Sequence, residues 1–215
     1  MNLITLTDPR SPASEAYRTL RTNLSFYSLD EPLRTLVVTS PAPDEGKSTT
    51  IANLAVTMAQ GGRRTILVDC DLRRPSLHEL FGVNNEVGLT TMILDENAGL
   101  VLQQTTVENL SILPSGPKPP NPADLVGSRK VERVLDMLKE NADMVLIDAP
   151  PVIGVTDAAV LGARVDGVLL VVSAGKTRRD HAEHARELLE KARVRIVGVA
   201  LTNAAHDNSL GRYYE

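Results

Sequence analysis

One repeated feature constrains this chain most: short β-rich runs, most of them continuously apolar, alternate with longer stretches of helical periodicity. These runs fall at residues 35–39, 65–69, 110–113, 144–148, 167–172 and 195–201. A strand that is apolar at every position is buried on both faces, and strands separated by helix-length segments pair in parallel. The chain is therefore expected to be an α/β protein, a parallel sheet layered between helices. Helices are expected at 47–60, stopped by Gly61-Gly62, at 128–140 with Val131, Val134, Leu135 and Leu138 on one face, and at 178–191. His181 and His184 of that last helix lie one turn apart, but without a set of carboxylates they read as a solvated face. The proline-rich stretch 114–122 reads as a rigid connection inside one domain spanning 1–215, with Asn121-Pro122 starting a short helix.

Composition narrows the partners. A net charge of -4 and 3% aromatic residues supply neither the positive field nor the stacking platforms of a nucleic-acid binder. The one cysteine, Cys70, can form neither an internal disulfide nor a paired-cysteine metal site, which suits a reducing, cytoplasmic setting. The apolar runs are too short to cross a bilayer and residues 1–20 lack a signal peptide's apolar core, so membrane contact is expected through a partner.

The stretch TSPAPDEGKSTT, residues 39–50, joins the end of a buried strand to the start of a helix and closes on Gly46-Lys47-Ser48. In that context free N–H groups at the helix start face a β-phosphate, Lys47 bridges the β- and γ-phosphates, and the Ser48 hydroxyl can ligate Mg²⁺. Pro41 stands where the GxxxxGK[ST] pattern has its first glycine, yet the donors nearest the phosphate, from Glu45 through Thr49, lie downstream of both prolines. Asp44 adds negative charge beside an anion site and is expected to point outward.

TILVDCDLRRP places Asp69 at the end of one buried strand and Asp71 two residues on, and DMVLIDAPP places Asp148 at the end of another. In a parallel sheet all three reach the carboxyl edge where ligands bind, as Mg²⁺ coordination and activation of an attacking hydroxyl require. Arg73 is a candidate phosphate contact, whereas Asp157 reads as a turn former or helix cap.

With these residues the chain resembles the bacterial tyrosine kinases of the capsule and exopolysaccharide type, over nearly its whole length. The resemblance rests on the phosphate loop APDEGKST, the acidic motif ILVDCDLR, the strand motif VLIDAPP, and Glu15, Arg18 and Arg21 spaced as ExxRxxR. It implies a three-layer P-loop fold of the MinD/ParA kind, with an N-terminal oligomerisation helix at 11–29 and a flexible tyrosine tail at 207–215. It further implies that Lys47 and Ser48 hold ATP and Mg²⁺, that Asp148 orients the metal, and that Asp69 and Asp71 position it and activate the incoming tyrosine. The nucleotide contacts then run through Asp44, Glu45, Gly46, Lys47, Ser48 and Thr49, with Arg73 toward phosphate and Asn203 toward adenine. Tyr213 and Tyr214 become the phosphoacceptors, phosphorylated in trans, and Glu15, Arg18 and Arg21 the contacts of a ring of subunits. Members without their own membrane span work with a membrane adaptor of the polysaccharide co-polymerase type, which implies recruitment to the inner face of the plasma membrane, regulation of polysaccharide synthesis or export, and other protein tyrosines as substrates.

The rival reading is a dimerisation-switch ATPase of the MinD/ParA kind. That class carries a second lysine early in its loop, KGGxGK[ST], where this chain has Ala42. An iron–sulfur scaffold of the same fold group would need paired cysteines.

Overall fold

The computed structural model describes residues 3–27, 32–95 and 97–204. Its seven strands are β1 (Thr35–Thr39), β2 (Thr65–Asp69), β3 (Gln103–Gln104), β4 (Leu110–Leu113), β5 (Met144–Asp148), β6 (Gly167–Ser173) and β7 (Ile196–Thr202). They form one sheet in the order β3-β4-β2-β5-β1-β6-β7, parallel throughout except for β3. The helices are α1 (Ile4–Thr7), α2 (Pro12–Tyr27), α3 (Lys47–Gln60), α4 (Leu77–Phe81), α5 (Leu89–Leu94), α6 (Pro122–Gly127), α7 (Arg129–Asn141), α8 (Asp157–Gly162) and α9 (Arg179–Lys191).

Every residue of β1, β2 and β5 is buried, because successive side chains enter two different cores. Leu36, Val38, Leu67 and Leu146 join Ile51, Leu54 and Met58 of α3 on one face. Val37, Ile66, Val68, Val145 and Ile147 join Val131, Val134, Leu135 and Leu138 of α7 and Leu189 of α9 on the other. This is the three-layer arrangement expected from the sequence. Outside α3 lies α2, tied at its middle by the Arg21 guanidinium, whose Nη1 donates to the Thr57 carbonyl at 2.8 Å. That carbonyl belongs to the last turn of α3, where it also accepts the Gly61 N–H at 3.1 Å and a cation meets the negative end of the dipole.

The structure departs from the sequence reading at its edges. β7 is not buried on both faces: as the last strand it has one neighbour, and Val199 and Leu201 are 60% and 59% exposed. The short α1, α4, α5, α8 and two-residue β3 went unread, since segments of two to six residues carry no period to recognise. Asn121 does precede α6 but makes no side-chain cap to it. Among the described residues no helix is long and apolar enough to cross a membrane.

The proline-rich loop is fixed to the rest of the domain through α5. Leu89 and Thr90 donate their N–H groups to the carbonyls of Pro114 and Ser115, both at 2.8 Å. This close approach is possible because residue 88 is glycine: a Cβ there would stand 2.2 Å from the Pro114 oxygen and 2.5 Å from the Gly116 nitrogen. Gly88→Ala is therefore expected to lower stability by about 1–3 kcal/mol, the usual cost of overpacking against backbone. Urea denaturation checks this, and an unchanged midpoint would refute it.

Candidate active site

The loop between β1 and α3 passes through the left-handed region at Asp44, φ 59°, and Gly46, φ 89°. Aspartate tolerates that region better than most residues, which lets the chain turn there without a glycine. The loop's shape is held by a buried carboxylate. Glu45 Oε2 accepts the Ala42 N–H at 2.9 Å, and Oε1 accepts the Thr177 hydroxyl at 2.6 Å. The Glu45 carbonyl accepts the Thr202 hydroxyl at 2.8 Å and the Asp44 carbonyl accepts Lys176 Nζ at 2.6 Å. The segments after β6 and at the end of β7 thus brace the loop from outside, and the Asp44 side chain is exposed. The sequence pointed to Glu45 only as a backbone donor; its side chain and Thr177, Lys176 and Thr202 carried no local signal.

Lys47 opens α3 and turns into the acidic sheet edge. Its Nζ lies 3.0 Å from Asp71 Oδ2, 3.3 Å from Asp148 Oδ1 and 3.1 Å from the Ser48 hydroxyl. Burial alone would lower the Lys47 pKa, but the charges of Asp148 and Asp71 outweigh it and hold the ammonium above its ordinary value. Asp148 shifts upward because it is fully buried, although Lys47 and Ser48 oppose the rise. Its Oδ2 is buried without a hydrogen-bond partner.

Asp69 sits directly beside Asp148 in the β2–β5 register. Its Oδ2 accepts the N–H groups of Ser76 and Leu77, each at 3.0 Å, and Oδ1 accepts that of Asp71 at 3.2 Å. It thereby folds the segment that carries Asp71 and delivers α4. Burial, then the Asp148 charge, push the Asp69 carboxyl up to about 7, against the two backbone bonds to Oδ2.

Lys47, Ser48 and Asp71 line a cavity of 870 Å³ whose rim carries Arg73, Arg74, Pro150, Pro151 and Val155. Asp157, read from sequence as a turn former or cap, is neither. Its side chain is fully buried and faces Arg73, with Oδ2 3.2 Å from Nε and Oδ1 3.4 Å from Nη2. A buried carboxylate needs a counter-charge, and the guanidinium supplies it across the cavity rim. Asn203, φ 53°, donates from Nδ2 to Ser173 Oγ at 2.9 Å and lines a separate cavity of 860 Å³ with Tyr17 and Leu20 of α2. The two cavities meet at Gly46 and Thr49.

Glu15 and Arg18 pair with each other at 2.8 Å on α2, Arg18 also donates from Nη2 to the Pro9 carbonyl at 2.6 Å, and Arg21 is occupied by the Thr57 carbonyl. Residues 28 and 29 of the expected interface helix, and Tyr213 and Tyr214 with the rest of the tail at 207–215, lie outside the described residues. His181 and His184 are exposed on α9, and among the described residues no group of three His, Cys, Asp or Glu side chains forms a metal cage. The donors beside Lys47 suit a different kind of ion. Mg²⁺ is ordinarily held by a hydroxyl and one or two carboxylates together with phosphate and water, and the orphaned Asp148 Oδ2 beside Ser48 fits that chemistry.

Comparison with known proteins gives the family and the fold. The ParA family model, described as NUBPL iron-transfer P-loop NTPase, matches residues 33–206. The tyrosine-protein kinase YwqD of Bacillus subtilis is 42% identical over 201 residues, covering 93% of this chain and 85% of that protein. Among solved structures, the chimerical protein CapA2B2 superposes with a TM-score of 0.91 at 38% identity, covering 95% of this chain and 90% of that one. The kinase domain of the Escherichia coli tyrosine kinase ETK gives 0.89 at 31% identity, with 96% and 83% covered.

The raised Asp69 pKa has a consequence for the protein without nucleotide. Between the ordinary carboxyl value of about 4 and the folded value the native state binds the proton more tightly than the unfolded chain, so stability falls as pH rises through that window. Urea unfolding at about pH 5 and about pH 7.5 should show a loss on the order of 1–3 kcal/mol, and Asp69→Asn should shrink it. Equal declines in both proteins would contradict the assignment.

Proposed function

This chain belongs to the ParA-type P-loop NTPases and, within them, to the bacterial tyrosine-protein kinases, and from that membership we propose how its residues perform the reaction. The γ-phosphoryl group of Mg-ATP passes to a tyrosine hydroxyl. The hydroxyl oxygen bonds to the γ-phosphorus, the bond from phosphorus to the β–γ bridging oxygen breaks, ADP leaves with that electron pair, and Asp71 receives the hydroxyl proton. The observation that carries this reading is the convergence of Ser48, Asp71 and Asp148 within 3.3 Å of the Lys47 ammonium, with Lys47, Ser48 and Asp71 lining one cavity.

Each residue has a task set by its surroundings. The N–H groups from Glu45 to Thr49 take the phosphates at the start of α3, Asp44 lies alongside with its side chain outward, and Lys47 bridges β- and γ-phosphates. Ser48 and Asp148 would hold Mg²⁺, with Asp69 supporting that place from behind by fixing Asp71. When bound, the ion neutralises charge that builds up on the phosphoryl oxygens. Lys47 exchanges carboxylate partners for phosphate oxygens, so its charge is balanced throughout. Asn203 marks the cavity that takes the base, and Arg73 reaches toward phosphate from the opposite rim.

The acceptors are Tyr213 and Tyr214 of a neighbouring copy, with other protein tyrosines as further substrates. Copies assemble into a ring through α2, where the half-buried Glu15 and Arg18 exchange their contacts within the chain for ones to a neighbour and Arg21 anchors the helix to α3. The setting is cytoplasmic, at the inner face of the plasma membrane, where a polysaccharide co-polymerase type of adaptor recruits the enzyme and couples it to capsule or exopolysaccharide synthesis. Ala42, in place of a second loop lysine, favours this reading over the dimerisation-switch ATPase.

Incubation with Mg-ATP followed by phosphotyrosine mapping should label Tyr213 and Tyr214. Lys47→Met should reduce labelling by roughly 10²–10³-fold, the scale for removing a key electrostatic contact. Hydrolysis of ATP without label on tyrosine would instead support the switch ATPase. Replacing Glu15, Arg18 and Arg21 together with alanine should lower the mass measured by light scattering, and an unchanged oligomer would rule out α2 as the interface.

A further inference from the structure

The Arg73–Asp157 pair joins two segments that the reaction must hold still. Arg73 lies two residues beyond Asp71, on the chain leaving β2, and Asp157 opens α8, at the end of the segment that leaves β5 after Asp148. The carboxylate is wholly buried and both of its oxygens face the guanidinium, while the arginine side chain is 37% exposed and borders the cavity with Lys47 and Ser48. A guanidinium has five N–H donors in a rigid plane. The bonds to Asp157 engage Nε and Nη2, which orients the plane and turns the Nη1 edge away from the carboxylate.

We propose that Asp157 is a positioning residue for phosphoryl transfer, fixing the Arg73 guanidinium so that its remaining donors meet the equatorial oxygens of the γ-phosphoryl group as it leaves ADP. This rests on the kinase reading above and extends it to a residue outside the three nucleotide motifs. A preorganised cation matters most where charge develops during the reaction, so its effect belongs to the transition state more than to the bound nucleotide. An unpaired arginine on a surface loop would lose much of that effect to rotamer freedom and solvent. The buried anion removes this freedom, and its own charge is compensated by the same contact. Lysine cannot take over the role, because a single ammonium cannot satisfy both carboxylate oxygens and also present a planar edge to phosphate.

The test compares the full chain with Asp157→Asn, Arg73→Lys and the double variant, measuring affinity for Mg-ADP, affinity for Mg-ADP with aluminium fluoride as a mimic of the transferring group, and steady-state tyrosine phosphorylation. Affinity for Mg-ADP should stay within about twofold, while each single substitution weakens the aluminium fluoride complex and lowers kcat by about tenfold or more at nearly constant KM. Because the two residues act as one unit, the double variant should lose little beyond the worse single one. Wild-type binding of the aluminium fluoride complex by either single variant, multiplied losses in the double, or equal loss of ADP and mimic affinity would each overturn the proposal. If Asp157→Asn does not fold, Arg73→Lys alone decides, since that side chain stands partly in solvent. Failure of the wild-type protein to phosphorylate tyrosine would sink the kinase reading instead, and the ADP and mimic affinities would still judge the arginine.

Discussion

The ammonium of Lys47 between two buried carboxylates is the interaction around which this molecule is organised. Asp148 has no exposure and Asp71 very little, so neither charge is tolerable in that place without a cation. The pairing requires that β1 carry the loop to Lys47 and lie beside β5, and that β2 lie on the other side of β5. The register supplies this, with Val38 opposite Asp148 in β1 and Asp69 opposite Asp148 in β2. A one-residue slip of β5 would turn Asp148 into the hydrophobic face and empty the position facing Lys47. Packing of the two cores thus determines where the charges meet.

That cluster is poised because its charges are already paired. Lys47 makes ion pairs with carboxylates that also belong to the proposed metal site, so arrival of Mg²⁺ and phosphate exchanges one set of opposite charges for another. The net burial of charge changes little through that exchange, which keeps the cost of loading the site small compared with inserting a bare cation or a bare phosphate. The adjacent pair Asp69 and Asp148 is the exception, two carboxyls side by side with one lysine near them. Burial raises the pKa of both, and at Asp69 the charge of Asp148 adds to the rise.

Much of this was legible in the sequence, and the reason is physical. Strands β1, β2, β4 and β5 begin and end where the sequence runs do, because burial on both faces keeps their interiors almost wholly apolar, and α3 likewise spans the stretch from Lys47 to the paired glycines. Asp69 and Asp148 were legible because each ends such a run, and Asp71 because it follows two residues on. The sheet's edge strand and the short helices were not, since edge strands tolerate exposed side chains and a helix of four to six residues has no repeat. Nor were the pairings of Glu45 with Thr177 and Arg73 with Asp157, whose partners lie 132 and 84 residues apart. A buried carboxylate outside a motif looks in sequence like any turn aspartate.

The phosphate loop shows how the same backbone shape can be reached without the usual glycine. A glycine-rich loop obtains its turn from backbone freedom and gives up entropy when it orders. Here Pro41 and Pro43 restrict the unfolded chain beforehand, Asp44 accepts the left-handed turn, and the Glu45 carboxylate holds the Ala42 amide and the Thr177 hydroxyl. Only Gly46, with φ 89° at the cap of α3, must remain a glycine on conformational grounds. The loop is consequently rigid by construction, but its rigidity depends on the segments after β6 and at the end of β7. Since Asn203 directly follows β7 and lines the second cavity, the strand that braces the phosphate loop through Thr202 also shapes the space proposed above for the base.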